Sequence, residues 1–411
     1  MTSTSPPDAC TVLVVGAGPA GSACAQWLAH QGVDVVLVDQ HDFPRDKVCG
    51  DGLIPDAHRA LERLGLYDEV MSAAQPAAFL GCVAPRGGRV DVPGRLAVMP
   101  RRQLDDILKR GAERAGARFF APLRFVAPLL DGDRVAGAVL RGSDGEITLR
   151  ARWTVLATGA VPQALLASGM CRRQAPSGIA LRGYVHNPEM QGRLTALDVV
   201  WHPQLRRGYG WIFPCRDGVF NVGVGVGLAQ SHSMAGEDGA TKKRNINLRE
   251  MFATFCEVYA PARELLAGGR LLGALKGAPL RCSLDGAELE RPGLLVTGEA
   301  AGSTYAFTGE GIGKAMETGL LAAEALLAGA ADDAAVAARY RAAVATLKPR
   351  FDLYERANKV NEHPWLADLL IWRARRSARI LRRMAGVLEE TGNPGNLVSL
   401  RGITRLFLPI R

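Results

Sequence analysis

The residues whose spacing speaks most directly of chemistry come early in the chain. Gly16-x-Gly18-x-x-Gly21 follows an apolar run, TVLVVG, and precedes a stretch of small residues, so a strand, a tight turn and a helix are predicted in succession. Gly16 permits the turn, Gly18 lets the main chain approach a pyrophosphate, and Gly21 lets helix and strand pack closely. Pro19 and Ala20 begin the helix, whose positive N-terminus attracts phosphate. Asp39, followed by Gln40, ends the next apolar run, DVVLVD, where its carboxylate can accept hydrogen bonds from an adenosine ribose.

A second glycine-rich strand–turn–helix pattern, GLLVTGEAAGSTYAFTGEGIGKAMETG, spans residues 293–319. FAD is long enough to need a second anchor for its ribityl and isoalloxazine end, so the two blocks together point to FAD rather than NAD. Gly298 and Glu299 fall where the ribityl or pyrophosphate region would be held. Backbone N–H groups around Gly309, Gly311, Ile312 and Gly313 open a helix whose dipole can stabilise negative charge on a reduced flavin. Tyr209, Trp211 and Phe213 alternate along a predicted strand and share one face, with Gly210 and Ile212 on the other. Such a stripe is either core or the wall of a site. The seven histidines show no ligand spacing, the eight cysteines include no CxxC pair, and no Ser/His/Asp arrangement is legible, so no metal is expected.

These groups need a frame. Strands are predicted at 11–16, 34–39, 155–160 and 293–298, and helices at 19–31, 55–71, 102–115, 247–266 and 309–328. Alternating runs at 79–98, 123–150 and 179–227 read as antiparallel strands, and the chain from Asp332 onward reads as helical. The expected fold class is α/β, a Rossmann-type FAD-binding domain with an inserted antiparallel β-sheet substrate domain and a helical C-terminal tail. The expected FAD-binding segments are 1–78, 101–168 and 283–345. Substrate-domain strands fall at 79–100, the β-sheet substrate domain at 169–282, and a basic helical region at 346–411.

The 411 residues exceed one typical domain, and the composition, 48% hydrophobic and 22% charged without low-complexity tracts, is that of an ordinary globular protein. Scattered cysteines suit a reducing compartment, the N-terminus lacks the charged region of a signal peptide, and no apolar run reaches the ~18–20 residues of a membrane span. A cytoplasmic protein is expected. Of the net charge of +9, the stretch from Trp365 onward carries +6, with nine arginines against Asp368, Glu389 and Glu390. Within 365–388, Leu366, Leu369, Leu370, Trp372, Ile380, Leu381 and Met384 stand among six arginines. This reads either as a basic amphipathic helix on an anionic membrane surface, peripheral at its inner face, or as a helix docked on the protein with a solvated arginine face. Nucleic acid is not an expected partner, since aromatic interleaving and a known binding module are missing.

Four blocks resemble the geranylgeranyl reductase family, flavoproteins of the para-hydroxybenzoate hydroxylase-like fold. They are VLVVGAGPAGSACA, the more selective FPRDKVCGDGLIP (43–55), YGWIFPCRDGVFNVGVGV (209–226) and the 293–319 block. Arg101 stands at the place of a family arginine that contacts FAD, and Ala157-Thr158-Gly159 matches a turn beside the cofactor. The LEETGNPGNLVSLRG segment resembles the tail of bacterial members. The chain departs from the family at Glu299, usually aspartate, and at Ala306 and Arg206, where prolines are usual.

The resemblance implies hydride transfer from reduced FAD to a C=C bond of an isoprenoid or prenyl lipid, with a proton added to the neighbouring carbon. Cys49, beside Gly50, matches a family cysteine near the flavin, where its thiol either donates or relays the proton or only packs against the ring. Tyr209 is the alternative acid, and Cys49, Tyr209 and Trp211 form the expected catalytic set. Tyr209, Trp211, Phe213 and Phe307 are the expected substrate-cavity walls. Arg45 and Lys47 bind phosphates or are solvated loop charges, and Asp51 is an acid partner or a turn residue. Transient NADPH or a ferredoxin supplies electrons, because no second dinucleotide fingerprint is present. A flavin monooxygenase or epoxidase, and a non-catalytic flavoprotein accessory factor, are the rival readings.

Overall fold

The structure is a computed structural model that describes residues 5–205, 208–228, 246–329 and 331–393. The chain opens with β1 (Ala9–Val15), α1 (Pro19–His30) and β2 (Val35–Val38). The short β3 (Gly52–Leu53), α2 (Pro55–Arg63) and α3 (Tyr67–Ala73) lead into the hairpin of β4 (Gln75–Val83) and β5 (Arg89–Val98), and α4 (Arg101–Arg114) returns the chain to the first sheet. There β6 (Arg118–Phe120) precedes a meander of β7 (Arg124–Asp131), β8 (Arg134–Gly142) and β9 (Gly145–Leu156), closed by α5 (Gln163–Ala167). The chain crosses again for β10 (Gly178–His186), β11 (Leu197–Val200), β12 (Gly208–Pro214) and β13 (Val219–Gly227), then α6 (Leu248–Val258), α7 (Ala260–Ala267), β14 (Arg270–Leu271) and β15 (Lys276–Leu280). It returns through β16 (Glu290–Arg291) and β17 (Leu294–Val296) to α8 (Ile312–Gly329), and ends in α9 (Asp333–Ala357), α10 (Lys359–Glu362), α11 (Trp365–Ala374) and α12 (Ala378–Leu388).

The first sheet has the path β16-β17-β9-β1-β2-β6, parallel from β17 to β6, with Val14 of β1 facing Leu37 on one side and Val155 on the other. Its strands are apolar without alternation because both faces are covered. Val12, Val14 and Val155 pack with Cys24 and Leu28 of α1, while Leu13, Val15 and Leu156 pack with Leu140 and Leu149 of the meander. The small residues of α1 also serve a helix contact: a Cβ on Gly319 of α8 would overlap the Ala20 carbonyl. This is the expected Rossmann-type arrangement.

The second sheet runs β14-β10-β13-β12-β11-β4-β5-β3 and is antiparallel except where β11 lies parallel to β4, Val199 facing Cys82. That parallel pair departs from the all-antiparallel expectation; β4 and β11 are separated by the whole second passage through the first sheet, so no hairpin constrains their direction. One face of this sheet packs on α6 and α7 through Ile212, Val224, Phe255 and Leu265. The other packs on the C-terminal helices through Val92, Leu96, Leu197, Leu370, Ile371 and Leu388. Each such side chain, fully buried, contributes roughly 1.5–3 kcal/mol.

Several expected helices are broken. The one predicted over 55–71 divides at Gly65, whose φ of +68° no helix accommodates. The one over 247–266 divides at Tyr259, with a proline in the first turn of α7. That over 309–328 begins only at Ile312, since Gly309 is held at φ +71°. The basic helix over 365–388 becomes two, because Ser377 caps α12 by accepting from the Ile380 N–H. Both pieces bury their apolar sides, while Trp365 and Trp372 remain 58% and 45% exposed and Arg375, Arg376, Arg379, Arg382 and Arg383 face solvent. Arg401, Arg405, Arg411 and most of the LEETGNPGNLVSLRG segment lie outside the described residues. No described helix is long and apolar enough to cross a membrane.

Candidate active site

A cavity of about 870 Å³ runs from the β1–α1 turn to the C-terminal helices and is lined from both sheets. At the turn, Gly16 has φ +103° and sits against the Ala157 carbonyl, where a Cβ would overlap. Gly18 is the N-cap of α1 and supplies no side-chain cap, so the first N–H groups of the helix are left for a ligand. A Cβ on Gly18 would stand 3.5 Å from Arg45 Nη2 and 3.8 Å from Arg101 Nη2, so the backbone is bare where two cations converge. Arg101 is buried and donates to both oxygens of Asp105, at 2.6 and 2.7 Å, and Arg45 donates to the same carboxylate at 2.9 Å. Arg45 also lies 3.6 Å from Asp39, so two carboxylates hold the two guanidiniums in place beside the positive end of the helix, where their N–H groups and the helix N-terminus together suit a pyrophosphate.

Asp39 accepts from the Ala17 and His41 N–H groups at 2.9 and 3.0 Å; each oxygen keeps a second lone pair, and Asp39 and Gln40 both line the cavity. Thr158 Oγ1, in the Ala157-Thr158-Gly159 turn, is buried without a hydrogen-bond partner among the described residues. Further along, Glu299 accepts the Thr304 hydroxyl at 3.4 Å and lies 3.8 Å from Lys47 Nζ, while Pro19, Ala20, Gly309, Gly311 and Ile312 complete the wall. The bare glycine turn, the paired arginines and the orphaned hydroxyl together fit an FAD. Arg45 and Lys47 stand in ion pairs facing this space rather than as free loop charges. Gly298 and Gly313, expected to touch the cofactor, lie behind the wall, as does Gly21, counted with the cofactor-binding glycines but placed where its expected close packing of helix on strand is needed. Each closes a packing contact, Gly21 with the Gly16 carbonyl, Gly298 with Ala20 and Gly313 with the Asp56 carboxyl.

The far half of the cavity is apolar. Trp211 and Phe213 project from β12 toward the Cys49 loop, with the Phe213 ring 3.2 Å from where a Gly50 Cβ would be, and Gly210 leaves room on the opposite face for Phe255. The loop is tied down by Asp51, fully buried at φ +66°, which accepts from the Tyr184 hydroxyl at 2.5 Å and from Asn221 Nδ2 at 2.7 Å. Asn221 donates also to the Cys49 carbonyl and accepts the Trp211 indole N–H at 2.9 Å. Asp51 is thus neither a free acid nor a plain turn residue. Burial pushes its carboxyl up to about 6, the hydrogen bonds from Tyr184 and Asn221 holding it from going further. The single donor of Trp211 is spent inside the protein, so that residue can shape the site but has no proton to offer a ligand. Tyr209 donates its hydroxyl to the Thr308 carbonyl at 2.9 Å, and burial raises the pKa of both Tyr209 and Cys49, keeping each protonated.

Much of the apolar lining was not legible in the sequence. Leu80, Cys82, Val92, Leu197, Val199 and Trp201 of the second sheet face Val360, Ala367, Leu370, Ile371, Met384 and Leu388 of the C-terminal helices across the space. Phe307 bridges the halves, its carbonyl accepting from Asn361, which in turn accepts the Trp201 indole N–H. Glu310 also lines this space, and no motif in the sequence marks it. A carboxylate flanked by two glycines in the loop that meets a flavin is the available signal. Arg206, at the site of a family proline, lies outside the described residues.

A family model described as an FAD binding domain matches residues 9–178. A menaquinone reductase of Mycolicibacterium smegmatis is 33% identical over 341 residues, covering 78% of this chain and 77% of the relative. The digeranylgeranylglycerophospholipid reductase 1 of Methanopyrus kandleri is 29% identical, covering 76% and 79%. Among solved structures, a geranylgeranyl bacteriochlorophyll reductase-like protein from Thermoplasma acidophilum superposes with a TM-score of 0.72 at 20% identity, covering 97% of this chain and 96% of that one. The cofactor of this chain is FAD, and the chain is an oxidoreductase.

Proposed function

The chain belongs to the geranylgeranyl reductase family of FAD-dependent oxidoreductases, and from that premise we propose that it saturates a carbon–carbon double bond in the isoprenoid chain of a lipid. The observation that carries this reading is the shape of the cavity: a polar cradle fitted to FAD continues without interruption into an apolar chamber walled by Tyr209, Trp211, Phe213 and the C-terminal helices. Bound FAD, once reduced, supplies the hydride. Arg45, Arg101 and the α1 N-terminus would hold its pyrophosphate, Asp39 its ribose, and the Gly309–Ile312 turn its ring end. Cys49, Trp211 and Phe213 would set one side of the chamber and exclude water. Exclusion matters because an isolated double bond is a poor hydride acceptor and needs its proton nearly in step. The two curated relatives are both named for lipids that carry prenyl chains, which agrees with an apolar rather than a sugar- or nucleotide-like substrate.

The same C-terminal helices that roof the chamber present Trp365, Trp372 and five arginines outward, so we place this face on an anionic membrane surface, delivering the lipid directly into the chamber. Electrons come from transiently bound NADPH or a reduced ferredoxin. The test is anaerobic: the reduced holoenzyme is mixed with a prenyl lipid and the product weighed by mass spectrometry. A gain of two hydrogens is expected; incorporation of oxygen on admitting air, without hydrogenation beforehand, would establish a monooxygenase instead. Flotation with anionic vesicles, compared with neutral ones, tests the membrane face, and flavin bleaching by each donor identifies the electron source.

A further inference from the structure

The wall of the chamber holds an ionisable carboxyl that the reading above does not use. Glu310 stands between Gly309 and Gly311 in the loop that leads into α8, half-buried, and lines the cavity. Its place is set from two sides. Its main-chain carbonyl accepts from the Tyr305 N–H at 2.8 Å, and Gly309 abuts Tyr209 so closely that a Cβ would stand 2.8 Å from the phenol oxygen. Behind the loop, Asp56 of α2 is 5% exposed and its Oδ2 takes no hydrogen bond, the cation nearest it being Lys314 Nζ at 3.9 Å. Lys314, of α8, also meets Glu317 at 2.5 Å and Glu390 at 2.8 Å.

We propose that Glu310 is the acid that delivers the proton to the double bond, an assignment that rests on the reductase reading above. Hydride and its electron pair pass from the reduced flavin, which is oxidised, to one alkene carbon. The O–H bond of Glu310 breaks as a C–H bond forms at the other carbon, leaving a carboxylate that solvent protons restore. The groups that act on Glu310 are Asp56 and Glu390, which raise it, and the Thr308 side chain and Lys314, which lower it; it lies close enough to raise Tyr209 and Tyr354 in turn. Burial first, and then the Asp56 carboxylate, push Glu310 up to about 8. It therefore keeps its proton at neutral pH yet parts with it more readily than Tyr209 or Cys49, the protonated groups that share its end of the wall. Tyr209 has its proton on the Thr308 carbonyl, and the Cys49 thiol is raised by burial.

The experiment uses holoenzyme of the wild type and of E310Q, D56N and C49A. The E310Q holoenzyme is expected to keep its flavin spectrum while its anaerobic single-turnover rate falls by about 10²–10⁴-fold. The wild-type rate should decline above pH about 8, and D56N should move that limb to lower pH, because the carboxylate that raises Glu310 is gone; a merely structural residue would not shift it. A readout without turnover is thermal unfolding against pH. The native state retains a proton that the unfolded chain releases near 4.5, so wild-type stability falls as pH rises from there to about 8, and E310Q should lose part of that slope. An E310Q enzyme with the wild-type rate and pH profile, or one outperformed in loss by C49A, overturns the assignment. If wild-type enzyme leaves every prenyl double bond intact while the unfolding slope still responds to E310Q, the reductase reading falls, and the proton-donor role with it.

Discussion

The two ends of the cavity are built on opposite principles. At the nucleotide end the wall is backbone: Gly16, Gly18 and a helix N-terminus, with Arg45 and Arg101 sharing Asp105 behind them. At the lipid end the wall is side chains drawn from β4, β11, β12 and three helices near the C-terminus, held shut by polar clasps such as Trp201–Asn361–Phe307. A backbone wall binds what all cofactors of one kind share and tolerates almost no substitution. A side-chain wall can be resized residue by residue, which is how one fold takes different lipids.

Gly21→Val should have the largest effect and would break this contrast if it did not. Its Cβ would overlap the Gly16 carbonyl, so a loss exceeding about 3 kcal/mol and colourless purified protein are expected, read by flavin absorbance and thermal unfolding. Next comes Glu390, which ties the segment after α12 to α2, α8 and α9. Its buried carboxylate takes Tyr305 at 2.6 Å and Arg59, Arg350 and Lys314 between 2.5 and 3.1 Å, and these partners outweigh burial and hold its pKa below the usual glutamate value. Glu390→Gln should cost about 3 kcal/mol at neutral pH. Because the native pKa is depressed, that contribution is present above about 4.5 and is lost as pH falls through the native value, so variant and wild type should converge in acid.

Val199→Phe, which fills the chamber from β11, should lower kcat/KM for a long prenyl lipid by about 10–100-fold with flavin content unchanged. Loss of flavin in that variant would show that the two ends are not separable. The smallest effect is expected from Arg379→Glu or Arg383→Glu, each weakening vesicle binding by about 1 kcal/mol in low salt and less in high salt.

What the sequence by itself determined was the nucleotide end. Glycines at fixed spacing encode a local backbone path, so Gly16-x-Gly18-x-x-Gly21 and the 293–319 block could be read as strand, turn and helix before any contact was known. The alternation of Tyr209, Trp211 and Phe213 likewise predicted their shared face. The breaks at Gly65 and Ser377 were less visible, since apolar periodicity carries across both and only the backbone conformation and cap reveal them. The rest of the lipid end belongs to tertiary structure alone. Leu80, Val199, Leu370 and Leu388 show the same apolar pattern whether they meet a neighbour or a void, and chain separations of up to three hundred residues hide which they face. The same holds for Glu310: its residue type was written in the chain, but the burial and the Asp56 carboxylate that keep it protonated exist only once α2 and the α8 loop are packed together.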